Sequence, residues 1–521
     1  MTTTTNTHVA RVIFLMACAA VWLGWLSTRT DVFFADGIRY IGQAQKLDEG
    51  SITAGLQGSV DHPAYPLAIV AAHRWMGGST PIHWQRAAQY ASIMAGVLIV
   101  IPLYLVAWEL LGSSSAWLTC VLVFLVPTTG HVFADTLSES TFLLFWTWGL
   151  WTALRFLRDG WFGWLPITIG FAGLAYLSRP EGLLLPAALV ATLGLMPLLH
   201  STRLVWPRWW SAVGLLVMGP MLIVGPYVIL RGGFATKPAV ARLLGTAKAS
   251  PALAVERERP LDPDQTTVTT YLSAGRAVIQ AVRAATTLPI MLLAPMGLFA
   301  VYWRGNVGRP RQWLFLAVIS SAAILALLRL HATGGYCSPR HAMVVGQLLV
   351  ALGAFGLVCL MERVSIPGRW IGQGDASFTA GPVVWLAILG LLACSQMPTL
   401  IDHLNKGFTG YREAANFLID HKATQDRPVI DVTGWSHYYS GLKGYTFKDL
   451  TEGTSDPRVK WVVVRDAHLN GPWGYCQQLK ALVGDREPVA KYPDQPAKGI
   501  AQVYVYDLES PIASGSQTLI R

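Results

Sequence analysis

The sequence predicts an α-helical multipass membrane protein with a small C-terminal α/β domain. Of its 521 residues, 53% are hydrophobic and only 13% are charged, which excludes a disordered chain and an ordinary soluble fold. About eleven apolar segments lie between Val12 and Met397, most of them near the ~20 residues that cross a bilayer. After about residue 402 the composition becomes polar. We therefore divide the chain into a multipass domain at 1–400 and an α/β domain at 401–521.

The predicted spans occupy most of the first domain. They lie at 12–28, 88–111, 115–131, 138–155, 162–178, 181–200, 209–230, 286–303, 312–330, 342–361 and 380–397. Longer outer stretches interrupt them at 29–86 and 231–285. The tail alternates helical and strand patterns, with helices predicted at 409–422 and 472–483 and strands near 428–433, 459–465, 486–491 and 501–507.

Arginines in short connections predict the orientation, because positive charge resists translocation. They fall in alternate connections, which are therefore predicted to be cytoplasmic: Arg155 with Arg158, Arg203 with Arg208, Arg304 with Arg309 and Arg311, and Arg363 with Arg369. The remaining connections and the tail are then extracytoplasmic. We expect an integral protein of a bacterial inner or plasma membrane, whose partner includes the lipid bilayer itself.

The formal charge of +10 partly reflects this topology and needs no nucleic-acid partner to explain it. Another part of the positive charge lies in the outer stretch 231–285. This stretch is either a solvated or headgroup-facing surface or a site for an anionic lipid or phosphate. Cys337 and Cys476 both fall on the predicted outer side, where either a disulfide or two separate thiols is compatible with the sequence.

The first outer stretch carries the candidate catalytic carboxylate, Asp36. Tyr40, Ile41, Ala44 and Leu47 follow it at helical spacing, which predicts an amphipathic helix along the membrane face. Asp36 is either the N-cap of that helix or a general base, and the two roles are compatible. Pro63 and Pro66 mark helix starts, and in the same segment His62 and Tyr65 set polar groups against an apolar run.

Three further outer connections contain charged residues. Asp135 and Glu139 are four residues apart, so a helix there would present both carboxylates on one face. The two carboxylates either interact favourably with the helix dipole or bind a sugar or a metal. Arg179 and Glu181 form a turn with an ion pair or belong to a site, since charge at membrane depth usually has a partner. Arg340-His341 ends the last cluster, and the geometry of a guanidinium matches the oxygens of a phosphate in a bidentate contact.

The order of these motifs resembles that of the GT-C glycosyltransferases, nearest to the protein O-mannosyltransferase and aminoarabinose-transferase-like families of bacteria. The similarity covers roughly residues 10–365. It is carried by Asp36 with Tyr40, His62-Pro63-Ala64-Tyr65-Pro66, Leu137-Ser138-Glu139, Ser178-Arg179-Pro180-Glu181-Gly182 and Ser338-Pro339-Arg340-His341. The expected fold is therefore GT-C-like.

The resemblance implies transfer of a sugar from a polyprenyl-phosphate-linked donor to a glycan, lipid or protein acceptor at the outer membrane face, with inversion. Asp36 would take the acceptor's proton, and Arg340 would steady the leaving phosphate. The expected substrate-binding residues are Tyr40, His62, Tyr65, Asp135, Glu139, Arg179, Glu181, Arg340 and His341. Gly37 stands where several family members have a second acid, so a divalent metal is left open and no other cofactor is implied.

Three alternatives remain open at this point. A transporter or flippase of lipid-linked or polyanionic substrates usually has ionisable positions near mid-membrane and repeated halves, whereas these spans are mostly free of charge and no repeat is evident. A lipid-oligosaccharide ligase would share the donor type and the sidedness. A non-catalytic scaffold would tolerate the loss of Asp36.

Overall fold

The computed structural model describes residues 2–50, 52–57, 59–199, 206–233, 267–303, 309–363, 365–367, 377–379, 382–421, 425–447, 449–471, 474–496 and 500–510. The first domain is helical. Its helices are α1 (Thr2–Thr28), α2 (Asp36–Asp48), α3 (Ile52–Gln57), α4 (Ala64–Met76), α5 (Pro81–Leu98), α6 (Val100–Leu111), α7 (Ser113–Leu125), α8 (Pro127–Ala134), α9 (Glu139–Asp159), α10 (Trp164–Ser178), α11 (Leu184–Leu195), α12 (Trp206–Arg231), α13 (Thr267–Thr286), α14 (Leu288–Trp303), α15 (Pro310–Gly334), α16 (Met343–Arg363) and α17 (Pro382–Leu400).

Several of these helices are long and apolar enough to cross a membrane, as an integral membrane protein requires. Within the described ranges there are five such stretches: Asn6–Thr28, Pro81–Leu111, Pro207–Arg231, Pro310–Gly334 and Met343–Glu362. The number rises to seven if the bent pairs α7–α8 (72°) and α13–α14 (94°) each count as one span. Shorter apolar helices are Trp164–Ser178, Pro180–Leu195 and Ala387–Leu400. The count of eleven spans stays a prediction.

The two bends have local causes. Pro127 is the first residue of α8 and has no backbone N–H to continue the ladder of α7. Thr287, between α13 and α14, has a φ of 70°, which a helix does not accommodate. Small residues instead bring helices together: Gly297 of α14 lies against the backbone of Leu352 in α16, and a Cβ at Gly297 would collide with it.

The outer stretch 29–86 folds into α2, α3 and α4. The helix predicted after Asp36 is present, and Tyr40, Ile41, Ala44 and Leu47 are all buried. These side chains pack against α4 and α5 together with Tyr65, Ile69 and Trp84. The apolar face of α2 is therefore covered by protein. Of the other outer stretch, 234–266 lies outside the described residues, as do the basic residues within it.

A short antiparallel pair of strands, β1 (Ser365–Pro367) and β2 (Ser377–Thr379), precedes α17. The tail contains a five-stranded sheet of β3 (Val429–Ile430), β4 (Gly444–Tyr445), β5 (Trp461–Arg465), β6 (Ala490–Tyr492) and β7 (Val503–Asp507). The strand order is β4-β3-β5-β7-β6, in which β3 pairs parallel with β4 and β5, and β7 pairs antiparallel with β5 and β6. The helices are α18 (Gly410–Asp420), α19 (Trp435–Ser440), α20 (Leu450–Ser455), α21 (Asp466–Asn470) and α22 (Gly474–Val483).

One face of this sheet, together with α18 and α19, packs against the chain that links α1 to α2. Val32 is fully buried in the tail's core beside Tyr411 and Trp435. The Tyr438 and Tyr439 rings contact Phe33 at centroid distances of 4.9 and 5.8 Å. Cys337 and Cys476 do not form a disulfide with each other, so the disulfide alternative is wrong in this structure. The tail is joined to the first domain by non-covalent packing at the 31–35 linker.

Candidate active site

Asp36 lies at the start of α2 with its carboxylate between two arginines. Arg39, one turn further along α2, approaches Asp36 Oδ1 with Nη2 at 3.1 Å. Arg340, from the loop before α16, donates from Nη1 to Asp36 Oδ2 at 3.0 Å. Ala35 occupies the N-cap position, and Asp36 is the first residue of the helix. The N-cap interpretation of Asp36 is therefore wrong by one residue.

Arg340 also connects Asp36 to a second carboxylate, Glu139, at the first residue of α9. Its Nη1 lies 3.5 Å from Glu139 Oε1. The same Oε1 accepts a hydrogen bond from Arg179 Nη1 at 2.7 Å, and Arg179 Nη2 donates to Glu181 Oε1 at 2.9 Å. The five side chains form one continuous row of alternating charge, which we call the charged row. It joins the ends of α2, α9, α10 and α16 and the start of a 3-10 turn at Pro180–Leu183.

Burial varies along the charged row. Exposed fractions of the side chains are 2% for Glu139, 10% for Arg179, 13% for Arg340, 23% for Asp36 and 39% for Glu181. The centre is thus nearly dry, and the carboxylates at both ends reach solvent. Glu139 Oε2 is a buried oxygen to which no hydrogen-bond donor in the described structure is directed.

The environment sets the protonation of His341, which lies beside this row. Burial, reinforced by the positive charge of Arg179, lowers the pKa of His341 to about 4. His341 is therefore neutral around pH 7. The backbone N–H of Ser338 donates to His341 Nδ1 at 3.3 Å, which holds the ring in place.

The Phe34 ring packs against the Arg340 guanidinium. The Arg340 Cζ lies 4.3 Å from the centroid of the Phe34 ring, within the range of a cation–π contact. Both carboxylate contacts of Arg340 are made by Nη1, so Nε and Nη2 take no part in these two contacts.

Three predicted site residues are buried and are held by hydrogen bonds or ring contacts. Tyr40 Oη and Ser138 Oγ are 3.0 Å apart, which ties α2 to the residue before Glu139. Tyr65 is fully buried, donates to Ala88 O at 2.9 Å and accepts from Ser92. The buried His62 ring packs against Tyr176 and Tyr227 at centroid distances of 5.0 and 5.6 Å.

Asp135 occupies a different place from the one its spacing predicts. The helix α8 ends at Ala134 and α9 begins at Glu139, and Asp135 lies between them in extended backbone. The prediction that Asp135 and Glu139 share one helix face is therefore wrong. Asp135 Oδ1 accepts from the backbone N–H groups of Phe34 (3.1 Å) and Thr136 (2.7 Å). Asn405 of the tail donates to its Oδ2 at 2.8 Å.

Sequence reasoning missed two charged residues of the site, Arg39 and Asp61. Arg39 Nε donates to Asp61 Oδ2 at 2.9 Å, and the Asp61 side chain is completely buried. Their sequence signals are weak: Arg39 lies one turn after Asp36, and Asp61 directly precedes His62. The pair extends the charged row by an arginine that contacts Asp36 and a carboxylate that holds this arginine in place.

A metal ion would need several ligands converging on one point. Among the described residues, no three His, Cys, Asp or Glu side chains are grouped in that way. Asp36 and Glu139 are bridged by the Arg340 guanidinium, which supplies the positive charge between these two carboxylates. The donor set near Asp36 is thus arranged around arginine, and we assign no step to a metal.

Comparison with known proteins identifies the fold. Residues 79–224 match the family model of the dolichyl-phosphate-mannose-protein mannosyltransferases, and no curated protein matches the sequence. The apo oligosaccharyltransferase of Archaeoglobus fulgidus aligns with a TM-score of 0.60 and 12% identity over 88% of this chain and 70% of its own. ArnT of Cupriavidus metallidurans, solved bound to undecaprenyl phosphate, aligns with a TM-score of 0.57 and 16% identity over 96% of this chain and 98% of its own.

A third structure adds a lipid-phosphate complex. AglB of A. fulgidus, in complex with an inhibitory peptide and a dolichol-phosphate, aligns with a TM-score of 0.55 and 11% identity over 88% of this chain and 69% of its own. The fold match spans both the helical domain and the tail. Together with the family model, it confirms the resemblance of this chain to the polyprenyl-phosphate-dependent glycosyltransferases of the GT-C superfamily.

Proposed function

We propose that this chain transfers a sugar from a polyprenyl-phosphate-linked donor to an acceptor hydroxyl at the outer membrane face, with inversion and with Asp36 as the base. The observation that carries the proposal is the 3.0 Å contact between Asp36 Oδ2 and Arg340 Nη1. It places a candidate base and a candidate phosphate-binding cation side by side, and 23% of the Asp36 side chain is exposed to incoming substrate. Lipid-phosphate complexes of ArnT and AglB support the donor class.

The reaction is a single displacement. Asp36 accepts the proton of the acceptor hydroxyl while the acceptor oxygen forms a bond to the anomeric carbon. The bond between that carbon and the donor phosphate oxygen breaks, and its electron pair stays on the polyprenyl phosphate. Because the attack and the departure occur on opposite faces of the sugar, the anomeric configuration inverts.

Arg340 stabilises the leaving phosphate in this scheme. The negative charge on the phosphate rises as the bond to the anomeric carbon breaks, and a fixed guanidinium in a poorly solvated place stabilises it strongly. Arg340 stays paired with Asp36 through Nη1 and offers its other N–H groups to the phosphate. Glu139 and Phe34 hold the guanidinium in this orientation and so reduce the reorganisation needed during reaction.

The position of the site along α9 supports the outer face. This helix begins at Glu139 in the charged row and ends at Asp159, and its 21 residues span about 30 Å, the thickness of a bilayer's hydrocarbon core. Its far end carries an arginine cluster in which Arg158 pairs with Glu109 at 2.7 Å and Arg309 lies 3.5 Å from Glu109. Clustered arginines favour the cytoplasmic side, so the charged row belongs on the opposite side.

Mass spectrometry of membrane lipids and surface glycans tests the proposal in cells that contain wild-type protein, no protein, or Asp36→Asn at matched abundance. We expect absence and Asp36→Asn to accumulate one polyprenyl-phosphate sugar and to lose one glycan. Asp48→Asn is the matched control, because Asp48 lies on the same helix, has a similar exposed fraction (24%) and pairs with Arg74.

The outcomes separate the proposal from its alternatives. Loss of the glycan in Asp36→Asn but not in Asp48→Asn supports the base role. If Asp36→Asn behaves as wild type while absence changes the lipids, Asp36 is not the base and transport or a scaffold role is favoured. Accumulation of a lipid-linked oligosaccharide in place of a single sugar would indicate a ligase.

A further inference from the structure

The linker between α1 and α2 is held by side chains that are remote in sequence. Asn405 Nδ2 donates to the carbonyl of Val32 at 3.1 Å, and Trp435 Nε1 donates to the carbonyl of Phe33 at 2.9 Å. Asp135 Oδ1 accepts from the backbone N–H of Phe34 at 3.1 Å. Three consecutive residues of the linker therefore have their backbone groups bound by side chains of other elements, two of which belong to the tail.

This linker ends at the proposed base. Phe34 supports the Arg340 guanidinium, and Asp36, two residues later, contacts the same guanidinium. A displacement of Val32 or Phe33 would therefore move two of the groups that orient Arg340. A rigid linker matters here because a misplacement of about 1 Å in a reacting group can cost about a hundredfold in rate.

Asn405 connects these contacts into one unit. Its amide donates both to Val32 O and to Asp135 Oδ2, the second at 2.8 Å. Asp135 is buried and in turn holds Phe34 N, so Asn405 acts on the linker by two routes. Asn405 has a φ of 53°, a left-handed conformation that Asn adopts more readily than most residues.

We infer that the C-terminal domain completes the active site, with Asn405 and Trp435 as positioning residues that set Asp36 and Phe34 against Arg340. The inference rests on the proposed function. Neither residue contacts the charged row itself, so its effect is transmitted through the backbone of residues 32–36. Loss of Asn405 or of the Trp435 N–H is then expected to reduce turnover while lipid-phosphate binding persists.

The first test uses purified full-length protein and, as donor, the polyprenyl-phosphate sugar that accumulates in cells lacking the protein. Asn405→Gly removes the amide but tolerates the positive φ, and Trp435→Phe removes the N–H but keeps an aromatic ring. We expect kcat to fall about tenfold or more in each variant, with binding of undecaprenyl phosphate changed by less than about twofold. Asn470→Gly is the control, because Asn470 lies in the tail and donates within its own helix to Asp466.

A rescue experiment separates positioning from folding. Asn405→Asp sets two carboxylates against each other and should lower kcat at least as strongly as Asn405→Gly. Combining Asn405→Asp with Asp135→Asn restores one donor and one acceptor between positions 135 and 405, with their roles exchanged. We expect this double variant to regain part of the lost kcat, because the hydrogen bond between positions 135 and 405 is restored while the donor to Val32 O remains absent.

Normal kcat in Asn405→Gly and Trp435→Phe, with Asp36→Asn inactive, would overturn the positioning role and leave the proposed function intact. Loss of activity that the double exchange does not restore, together with a lowered unfolding temperature, would also overturn it, because the contacts would then serve stability alone. Normal turnover in Asp36→Asn would instead refute the proposed function itself.

Discussion

Arg340 Nη1 lies 3.0 Å from Asp36 Oδ2, although the two residues are 304 positions apart in the chain. The contact joins the first turn of α2 to the loop before α16. In the proposed reaction it links a proton acceptor for the nucleophile with a cation for the leaving group. Predictions about this site follow from the partners of these two residues.

Arg340→Lys should weaken binding of undecaprenyl phosphate by roughly tenfold, because a lysine cannot form the bidentate contact of a guanidinium and loses its stacking on Phe34. The dissociation constant of the purified protein measures this. Arg74→Lys is the matched control, since Arg74 pairs with Asp48 at the far end of α2 and is 66% exposed. Equal affinities in wild type and Arg340→Lys would contradict phosphate binding by Arg340.

Glu139→Gln should abolish most turnover. The Glu139 carboxylate holds Arg179 and Arg340, and neutralising it leaves two buried guanidinium groups without their shared anion. Such a loss typically costs about 3–5 kcal/mol of stability, so both the unfolding temperature and the rate should fall.

Glu109→Gln provides the contrast for this variant. Glu109 is also nearly buried and also holds several arginines, at the other end of α9. We expect it to lower the unfolding temperature but to preserve kcat in the fraction that remains folded. Equal losses of kcat in both variants would show that the effect of Glu139→Gln is structural.

The proposed sidedness predicts which positions an impermeant thiol reagent reaches in intact cells. In a chain whose six cysteines are replaced, Lys406→Cys should be labelled without permeabilisation, and Arg158→Cys only after it. Both native side chains are accessible in the structure, at 51% and 33% exposed. The reverse pattern of labelling would place the charged row on the cytoplasmic side.

The neutral state of His341 predicts a pH effect on stability. Its pKa is lowered from an ordinary value of 6.5 to about 4 by burial and by Arg179. The unfolded chain therefore binds a proton at higher pH than the folded chain, so stability is present above pH 6.5 and declines as the pH falls toward 4. His341→Gln should remove part of this decline in unfolding curves recorded at several pH values.

A histidine on the surface is the control for that measurement. His421 is exposed on the tail, and His421→Gln is measured alongside as the same substitution outside the site. If His341→Gln and wild type lose stability in parallel between pH 6.5 and 4, the histidine is not held neutral by the fold. The buried His468, whose pKa is also lowered to about 4, contributes to the remaining decline.

Several features of the site could be predicted because they depend on local pattern. Apolar runs interrupted by short polar connections indicate a membrane protein, and the alternation of the connections predicts that Asp36, Glu139, Arg179 and Arg340 lie on one side. The helix after Asp36 was predictable from the period of its buried side chains. The geometry of Asp135 was not, because four-residue spacing implies proximity on a helix only if the helix is unbroken.

The sequence by itself thus determined the class of the protein and the residue types available for its chemistry, and it predicted the side of the membrane on which that chemistry takes place. These properties depend on composition and on neighbours within about one helical turn. Only the tertiary structure decided that one carboxylate oxygen of Glu139 contacts two arginines, that Arg39 pairs with Asp61, and that Asn405 binds Asp135 across 270 positions. Such contacts depend on how helices and the tail pack against one another, which no single segment encodes.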